Sequence, residues 1–559
     1  MASGIALTDT DIRVVVALDF GVTFSTFAYA NTQNPEIETN NNWPGRDGQL
    51  KNPTVLQYDE NFNVLQWGQL ALVEEPVRKS RPNKESHPVE LFKLHLSSLK
   101  AGEKPWLPVG LNHVKAITDY LTEMQKLIKE KVQTRWPSLE FPRQIKLILT
   151  VPAEWNENTR NVLRNAAYNA GLLNHVKSRN LDITTEPEAA AIHCMSVLKE
   201  HNLKPGANFM VVDCGGGTVD ITIRQLLENN KLSEITERSG DLCGATFVDR
   251  EFLRFLGRKL GYGVIEKLKK DNYKQVQYLI QRFFCSRIKF LFDGERASFR
   301  TIELDVPYYC PAVQDYVVDK EKKAKMEEAD WLIEITFDDV KEMFDPVVQR
   351  IIGLIEWQLE EANRECDALF LVGGFSESLY LVKNIKELFN DKIKTIAVPP
   401  CPIAAVVRGA VFYGLNMNIV QSRRLIYTYG IEILNEFKPG FDKKKRITKE
   451  GLVYRFNPLI KRGTLVDVNA KVTREFFPVF PKQTSATLKL FQTRNDRVRY
   501  CNETGVRLLG TLKIDLPDVH LGTNRPIEYT LTFGKMEIEA TAKNKKTGQL
   551  YTSTFDLDM

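Results

Sequence analysis

One pattern occurs twice in this chain and restricts its fold more than any other feature of the sequence. The segments VVVALDFGVTFSTFAYA (residues 14–30) and FMVVDCGGGTVDITI (residues 209–223) both run from an apolar strand into an aspartate, a glycine-bearing turn with a threonine, and more strand. After the second turn, apolar and polar residues alternate with a period of two, which is typical of a strand and not of a helix. Each segment is therefore predicted to be a β-hairpin.

The turn of each hairpin has the composition of an anion-binding site. Walker and dinucleotide-binding loops lead directly into a helix, and the motifs GxxxxGK[ST] and GxGxxG do not occur in this sequence. A hairpin turn can instead offer successive backbone N–H groups to an anion, and glycine lets that backbone approach closely. Asp19 and Asp213 end the first strands and can hold a hydrated Mg²⁺, which needs few protein carboxylates. A single turn of this kind is more often structural, but two copies favour a binding site.

A second element is also duplicated. The segments IKLILTVPAEW (residues 145–155) and ALFLVGGFSES (residues 368–378) each indicate a strand and a turn, and each is followed by an amphipathic helical pattern. In the first copy the helix is predicted to end at Gly171. These repeats predict two related α/β lobes that face each other across a nucleotide cleft, with the Gly373–Gly374 backbone close to the ligand.

Composition and charge exclude several classes of protein. Hydrophobic residues make up 43% and charged residues 26% of the 559 residues, as in ordinary soluble proteins. The net charge of +5 is too weak to indicate nucleic-acid binding, and the sequence has no apolar run of the length that predicts a membrane span. The first 20 residues lack the features of a secretory signal, and the eight cysteines show no paired spacing, so a reduced, cytoplasmic protein is predicted.

The C-terminal part differs in character from the rest. After residue 414 helical periodicity stops, and β-rich runs at residues 486–494, 531–544 and 550–557 predict a small all-β sandwich. Residues 436–475 contain eleven basic and five acidic residues, including the run KKKR at 443–446. Such a run is usually a solvated loop, and the alternative is contact with an acidic partner or a nuclear address.

Five motifs together resemble one known family. The segments LDFGVT, TVPAEW, TEPEAAAIH, VVDCGGGTVDITI and LVGGFSES occur in the order found in the 70-kDa heat-shock chaperones. The ATPase domain of that family has the two-lobed fold of actin and the sugar kinases, which is a duplicated, ribonuclease-H-like α/β fold. Phe375 and Ser376, together with the C-terminal end, resemble the divergent branch called heat shock 70 kDa protein 12. The resemblance implies an actin-like nucleotide-binding domain at residues 12–418 and a peptide-binding-like β-domain at residues 419–559, which leaves no room for the family's helical lid.

The resemblance also implies roles for individual residues. Asp19 and Asp213 match the aspartates of the Mg²⁺ site, which hold the ion largely through water. Catalytic roles in a slow hydrolysis of ATP to ADP and phosphate are implied for Lys93, Glu186, Asp213 and Thr218. Nucleotide contacts are implied for Gly21, Val22, Thr23, Gly215, Gly216, Gly217, Thr218, Gly244, Lys289, Gly373, Gly374 and Phe375. Without the family, Lys93 would be interpreted as a lysine on a helix face and Glu186 as a residue that caps the following helix.

Some positions depart from the family pattern. Val22 stands where a threonine is usual in the first turn. The side that would hold the adenosine is changed at Ala245, Ser286, Phe290, Asp293, Glu377 and Ile403. The phosphate and metal apparatus is thus mostly kept, whereas the base-binding side is rewritten.

The sequence therefore predicts an ATP-binding, ATP-hydrolysing, chaperone-like protein in which nucleotide controls a β-domain that binds extended or unfolded peptide clients. Co-chaperones or exchange factors are the implied partners, and no nucleic acid is expected. An adaptor with negligible hydrolysis is the alternative, favoured by Val22 and the changed base side. A small-molecule kinase on the same fold is a third reading, against which the β-domain counts.

Overall fold

The computed structural model describes residues 11–73, 87–97, 99, 104–152, 155, 157–198, 200–417, 419–467, 470–532 and 538–554. Within these ranges the chain forms two compact units. The first holds nearly all residues up to Leu226, together with Arg238–Met417, and the second holds Leu227–Glu237 and the residues that follow 418. None of the helices in the described ranges combines the length and the apolar character that a bilayer crossing needs.

The first unit contains a sheet built around the first predicted hairpin. Val14–Phe20 pairs antiparallel with Phe24–Asn31 and parallel with Ile145–Val151, so the prediction of a hairpin is confirmed. All seven residues of Val14–Phe20 are buried, as expected of a strand with neighbours on both sides. The strand order is Leu181–Thr185, Ile145–Val151, Val14–Phe20, Phe24–Asn31 and Glu38–Thr39, and Asn52–Pro53 also pairs with Phe24–Asn31.

A second sheet repeats this arrangement around the second hairpin. Asn208–Cys214 pairs antiparallel with Val219–Leu227 and parallel with Ala368–Val372. The strand order is Thr395–Ala397, Ala368–Val372, Asn208–Cys214 and Val219–Leu227, and Ser239–Asp241 also pairs with Val219–Leu227. Each glycine turn therefore lies at the carboxyl end of the first strand of its sheet, which is where α/β folds place their ligands.

Two helices of the first unit approach each other unusually closely. Glu186–Leu198 begins directly after Leu181–Thr185, and Ala405–Leu415 packs against it. A Cβ atom at Gly409 would lie 1.8 Å from the carbonyl oxygen of Ala189, so only glycine allows this contact. Because Glu186 is the first residue of its helix, the packing of that helix fixes the position of its carboxylate.

The helices predicted after the duplicated strands are present. The first spans Glu157–Asn169 with Leu163 buried, and Gly171 follows with a φ of 76°; Ala153 and Glu154 of the TVPAEW motif lie outside the described residues. The second spans Leu379–Phe389. Its buried face begins at Tyr380, and Leu379 is exposed.

The other elements of the first unit complete its two halves. The helices are Gln69–Leu72, His113–Arg135, Thr246–Leu260, Tyr262–Asp271, Tyr273–Tyr278, Val306–Tyr309, Val313–Tyr316, Lys320–Glu328 and Phe337–Ala362, with a π-helical segment at Leu279–Lys289 and 3₁₀ turns at Phe92–Leu96, Gly374–Glu377 and Pro402–Ala404. The short strands are Asn42–Trp43 paired with Arg46–Asp47, Val55–Tyr58 paired with Val64–Trp67 and Val89–Glu90, and Ile302–Asp305 paired with Leu332–Ile335.

The second unit consists mainly of two antiparallel sheets that share one hydrophobic core. That core includes Ile431 and Leu490 from the first sheet and Tyr529 and Leu531 from the second. The first sheet has the order Leu452–Ile460, Thr428–Glu436, Ser485–Thr493 and Val506–Asp515, and the second has the order Lys471–Phe476, Ile527–Thr532, Glu539–Asn544 and Leu550–Thr554. Three further strands, Lys231–Glu234, Val420–Arg424 and Leu465–Asp467, pair with one another, and 3₁₀ turns lie at Glu228–Asn230, Lys444–Arg446 and Val519–Leu521.

The β-rich runs predicted in this part of the chain correspond to strands with different bounds. The predicted run at 486–494 is the strand Ser485–Thr493. The run predicted at 531–544 contains the end of Ile527–Thr532 and the whole of Glu539–Asn544, and residues 533–537 between them lie outside the described residues. Residues 555–557 of the last predicted run also lie outside them.

Candidate functional site

The turns of both hairpins line one cleft in the first unit, with a volume of about 950 Å³. Every residue predicted to bind nucleotide, to bind metal or to take part in catalysis lines this cleft except Gly244. These lining residues are Asp19, Gly21, Val22, Thr23, Lys93, Glu186, Asp213, Gly215, Gly216, Gly217, Thr218, Lys289, Gly373, Gly374 and Phe375. These residues lie up to 356 positions apart in the sequence, and the duplicated topology brings them together in the fold.

The second turn has its carbonyl groups bound and its central N–H groups free. Ala245 N–H donates to Gly215 O at 3.0 Å, and Thr246 donates to Gly216 O from both its N–H and its hydroxyl at 2.9 Å. The N–H groups of Gly216 and Gly217 donate to no described residue. Such unpaired N–H groups on a glycine turn form a site for an anion.

Gly244 has a different position from the one predicted. It lies behind the second turn, where its N–H donates to Gly217 O at 3.2 Å. A Cβ atom at Gly244 would lie 2.6 Å from the carbonyl carbon of Gly216. The residue therefore supports the turn from outside the cleft and does not line the cleft itself.

The first turn is braced by a neighbouring segment of the same lobe. The Thr54 hydroxyl donates to Gly21 O at 3.0 Å, and Thr54 N–H donates to Thr23 O at 2.8 Å. The N–H groups of Val22 and Thr23 donate to no described residue, as in the second turn. A Cβ atom at Gly216 would lie 2.1 Å from Thr23 Oγ1, so the two turns nearly touch across the cleft.

Two lysines pair with two of the three carboxylates at the centre of the cleft. Lys93 Nζ lies 3.0 Å from Glu186 Oε1, with its ammonium 5.0 Å from the centre of the Trp155 ring and bound to the carbonyl of Phe20. Its side chain is 1% exposed, so the alternative interpretation as a lysine on a helix face is wrong. Lys51 Nζ lies 2.8 Å from Asp19 Oδ2.

The third carboxylate, that of Asp213, is buried without a partner. No hydrogen bond or ion pair joins it to any described side chain. Burial, reinforced by the neighbouring charges of Glu186 and Asp19, raises the pKa of Asp213 to about 7. Burial also raises the pKa of Glu186, against the opposing effect of Lys93. Three carboxyl groups thus share two lysines in this region, and a bound cation would favour the ionised form of Asp213.

Gly373 lets the backbone of the second lobe lie close to the Asp213 carboxylate. Its φ of 82° lies in the left-handed region that favours glycine. A Cβ atom there would lie 2.4 Å from Cys214 O and 2.5 Å from Asp213 Oδ1. Substitution at this position would therefore displace the carboxylate that lacks a partner.

The side of the cleft near Lys289 contains an ion pair that the sequence did not suggest. Lys289 Nζ lies 2.7 Å from Asp249 Oδ1, and the lysine side chain is 3% exposed. Lys289 ends the π-helical segment, and Asp249 lies on the helix Thr246–Leu260. Of the positions that depart from the family pattern, Ala245, Ser286, Phe290, Glu377 and Ile403 line the cleft, whereas Asp293 does not.

Comparison with known proteins identifies the family. A family model described as Hsp70 protein matches residues 139–436, which is more than half of the chain. The chain belongs to the Hsp70 family. The resemblance predicted from the five motifs is thus confirmed.

Individual Hsp70-family relatives agree with the predicted branch. The chain is 27% identical to human heat shock 70 kDa protein 12A over 95% of this chain and 89% of that protein. It is 26% identical to human heat shock 70 kDa protein 12B over 97% of this chain and 91% of that protein. It is 24% identical to the chaperone protein DnaK of Methanothermobacter thermautotrophicus over 68% of this chain and 60% of that protein. Membership of the Hsp70 family implies a nucleotide-binding, chaperone-like protein, and Hsp70 proteins generally bind ATP or ADP with Mg²⁺.

The residues present fit the Mg²⁺–nucleotide group of Hsp70 proteins. The free N–H groups of both turns suit phosphate oxygens, and the Asp213 carboxylate suits a cation. No cluster of three or more His, Cys, Asp or Glu side chains that could hold a metal ion occurs in the described part of the chain.

Three residues that pair with the predicted site residues are not indicated by the sequence. Lys51 and Thr150 both bind Asp19, and Asp249 binds Lys289. Thr150 lies opposite Asp19 in the parallel strand register, so a register prediction would have found it. Lys51 and Asp249 occur in no local motif, and the sequence carries no signal for their pairings.

Proposed function

We propose that this protein binds ATP and ADP with Mg²⁺ in the cleft, hydrolyses ATP slowly, and uses nucleotide state to control peptide binding by its C-terminal β unit. The observation that carries the nucleotide proposal is the pair of glycine turns whose free N–H groups line one cleft with Lys93, Glu186 and Asp213. Phosphoryl transfer depends mainly on positioning and on stabilisation of charge, and the cleft provides the groups for both.

Each group of the cleft has a distinct part in the proposed reaction. The N–H groups at Val22–Thr23 and Gly216–Gly217 would bind the phosphate oxygens, and Lys93 would neutralise their charge. Glu186 would orient the attacking water or accept its proton, because burial raises the pKa of this carboxyl. Bound Mg²⁺ would supply further charge stabilisation at the phosphates, and Asp213 is the carboxylate that would hold its waters.

Replacing Asp213 with asparagine tests this proposal. We expect the turnover of ATP to fall at least about 100-fold and added Mg²⁺ to stop strengthening ATP binding, because the carboxylate that holds the ion is lost. Isothermal titration calorimetry with and without MgCl₂ and a phosphate-release assay measure both effects. The exposed Asp496 provides the matched control, D496N, which should behave as the wild type. Unchanged turnover and an unchanged effect of Mg²⁺ in D213N would show that the site is assigned wrongly.

A nucleotide-regulated adaptor with negligible hydrolysis is the second candidate. It is favoured by Val22, because valine cannot supply the hydroxyl donor that threonine would add to the first turn. It is favoured also by the changed residues on the side of the cleft that holds the Lys289–Asp249 pair. ATP binding without phosphate release under single-turnover conditions, together with no protection of unfolding clients, would select the adaptor.

Peptide binding is supported by an exposed apolar loop in the second unit. Phe477, Val479 and Phe480 are each about half exposed, with exposed fractions of 54%, 45% and 48%. They follow the strand Lys471–Phe476, which lies at the edge of its sheet and, among the described strands, pairs only with Ile527–Thr532. An extended peptide can add to such an edge through main-chain hydrogen bonds while its side chains contact apolar residues.

The double variant Phe477→Ser/Phe480→Ser tests the peptide proposal. We expect it to bind a fluorescein-labelled, leucine-rich extended peptide at least about tenfold more weakly in an anisotropy titration, because two large apolar contacts are removed. Leu508→Ser is the control, since Leu508 is 45% exposed on the other sheet. Equal losses in the two proteins, or none in either, would argue against this loop as the peptide site.

A further inference from the structure

Asp19 and Asp213 occupy equivalent positions in the two hairpins, but their surroundings differ. Lys51 Nζ donates to one carboxylate oxygen of Asp19 at 2.8 Å, and the Thr150 hydroxyl donates to the other at 2.9 Å. Asp213 receives no hydrogen bond from a described side chain. Both oxygens of Asp19 are therefore engaged, whereas those of Asp213 are available to a ligand.

The position of Lys51 is fixed by the first hairpin. Its neighbour Asn52 pairs with Ser25 in the strand that follows the first turn. Two residues further on, Thr54 binds the carbonyls of Gly21 and Thr23 in the turn itself. The Lys51 side chain is 15% exposed and lines the cleft, so its ammonium is held beside the phosphate-binding turn.

Lys51 is also near the other two carboxylates at the centre of the cleft. Its side chain lines the same cleft as the carboxylates of Asp213 and Glu186. With Lys93 bound to Glu186, two of the three carboxylates carry a lysine of their own.

We propose that Lys51 is a built-in cation at Asp19 that lets this cleft bind nucleotide phosphates with little dependence on a divalent cation. The inference rests on the proposed nucleotide binding and adds to it the residue that sets its dependence on Mg²⁺. A lysine fixed beside the first turn attracts phosphate oxygens whether or not a metal ion is present. Without the lysine, Asp19 would repel the nucleotide unless an added cation screened the carboxylate.

The experiment measures ADP affinity by isothermal titration calorimetry in 5 mM EDTA and in 5 mM MgCl₂. The quantity compared is the ratio of the Kd in EDTA to the Kd in MgCl₂. For the wild type we expect a ratio below about 10, and for Lys51→Met a ratio at least about tenfold higher, with Kd in MgCl₂ changed by less than about fivefold. Lys51→Arg keeps the charge and is expected to keep the wild-type ratio.

Two controls separate this effect from a loss of folding. Lys115→Met removes an exposed lysine that pairs with Asp119 on the helix His113–Arg135, and its ratio should equal that of the wild type. ADP binding by Lys51→Met in MgCl₂ shows that its cleft is folded. If that variant binds in neither condition, the ratio for Lys51→Thr, which removes the charge but keeps a polar side chain, decides the question.

Failure of the inference differs from failure of the proposed function. If the wild type binds ADP but shows the same ratio as Lys51→Met, the role of Lys51 is wrong and the nucleotide site stands. A wild-type ratio above about 100 would overturn the inference in the same way. If the wild type binds neither ADP nor ATP in either buffer, the proposed function is wrong and the inference falls with it.

Discussion

Replacing Gly216 with aspartate is expected to abolish nucleotide binding while leaving the protein folded. A Cβ atom at Gly216 would lie 2.1 Å from Thr23 Oγ1 and 3.2 Å from Thr23 Cβ, so any side chain pushes the two turns apart. The added carboxylate would also join Asp19, Glu186 and Asp213 in a cleft where phosphates must bind. We expect the Kd for ATP in MgCl₂ to rise at least about 100-fold.

Calorimetry with ATP measures this loss, and Gly353→Asp is its matched control. Gly353 lies in the helix Phe337–Ala362, where an added Cβ atom would meet nothing within 4 Å. Gly216→Ala should give an intermediate loss, because it introduces the steric conflict without the charge. Binding of ATP by Gly216→Asp with wild-type affinity would mean that the two turns do not hold the phosphates.

The parts of the site that sequence could predict are those encoded in local patterns. The two turns could be recognised because an aspartate, glycines and a threonine follow an apolar strand within a few residues. The hairpin pairing of Asp19 with Thr26 and of Asp213 with Asp220 follows directly from such a turn. Duplication then predicted that both turns face one cleft, since equivalent elements occupy equivalent places in their sheets.

The partners of these residues could not be predicted because they depend on contacts between distant segments. Asp19 meets Thr150 only through the parallel register of two strands that are far apart in sequence. Lys51 lies in an irregular segment, and Asp249 looks like any acidic residue in the first turn of a helix. The family resemblance predicts that Gly244 contacts the nucleotide, but this glycine contacts the back of the turn. Burial and pairing decide such roles, and a motif specifies neither.

In the second unit, replacing Arg525 with methionine is expected to cause a large loss of free energy of unfolding. The Arg525 side chain is fully buried, and its guanidinium donates to four backbone carbonyls and pairs with no described carboxylate. The acceptors are Pro481, Gln483, Leu516 and Gly522, at 2.7–3.0 Å. Two of them, Pro481 and Gln483, belong to the loop that carries the exposed residues Phe477, Val479 and Phe480, so one side chain holds that loop against the sheets.

Methionine fills much of the same volume but leaves these four carbonyls without donors. Each buried acceptor that loses its partner costs about 1–3 kcal/mol, and part of that cost is recovered where water reaches the carbonyl. We therefore expect the second unit to lose about 3–5 kcal/mol of its free energy of unfolding. Arg525→Lys should lose less, because an ammonium keeps the charge and three donors but cannot reach all four acceptors.

Hydrogen–deuterium exchange on the full chain can measure this effect in the second unit alone. Amides of the strands Ser485–Thr493 and Ile527–Thr532 should exchange at least about 100-fold faster in Arg525→Met, since exchange reports local opening. All seven tryptophans precede residue 418, so the denaturation midpoint from tryptophan fluorescence reports the first unit and should not change. The exposed Arg497 gives the control variant Arg497→Met, for which neither measurement should change. Unchanged exchange in both strands of Arg525→Met would show that the four hydrogen bonds contribute little to the fold.

The loop at residues 477–480 depends on the same contacts. Arg525→Met should therefore also weaken peptide binding.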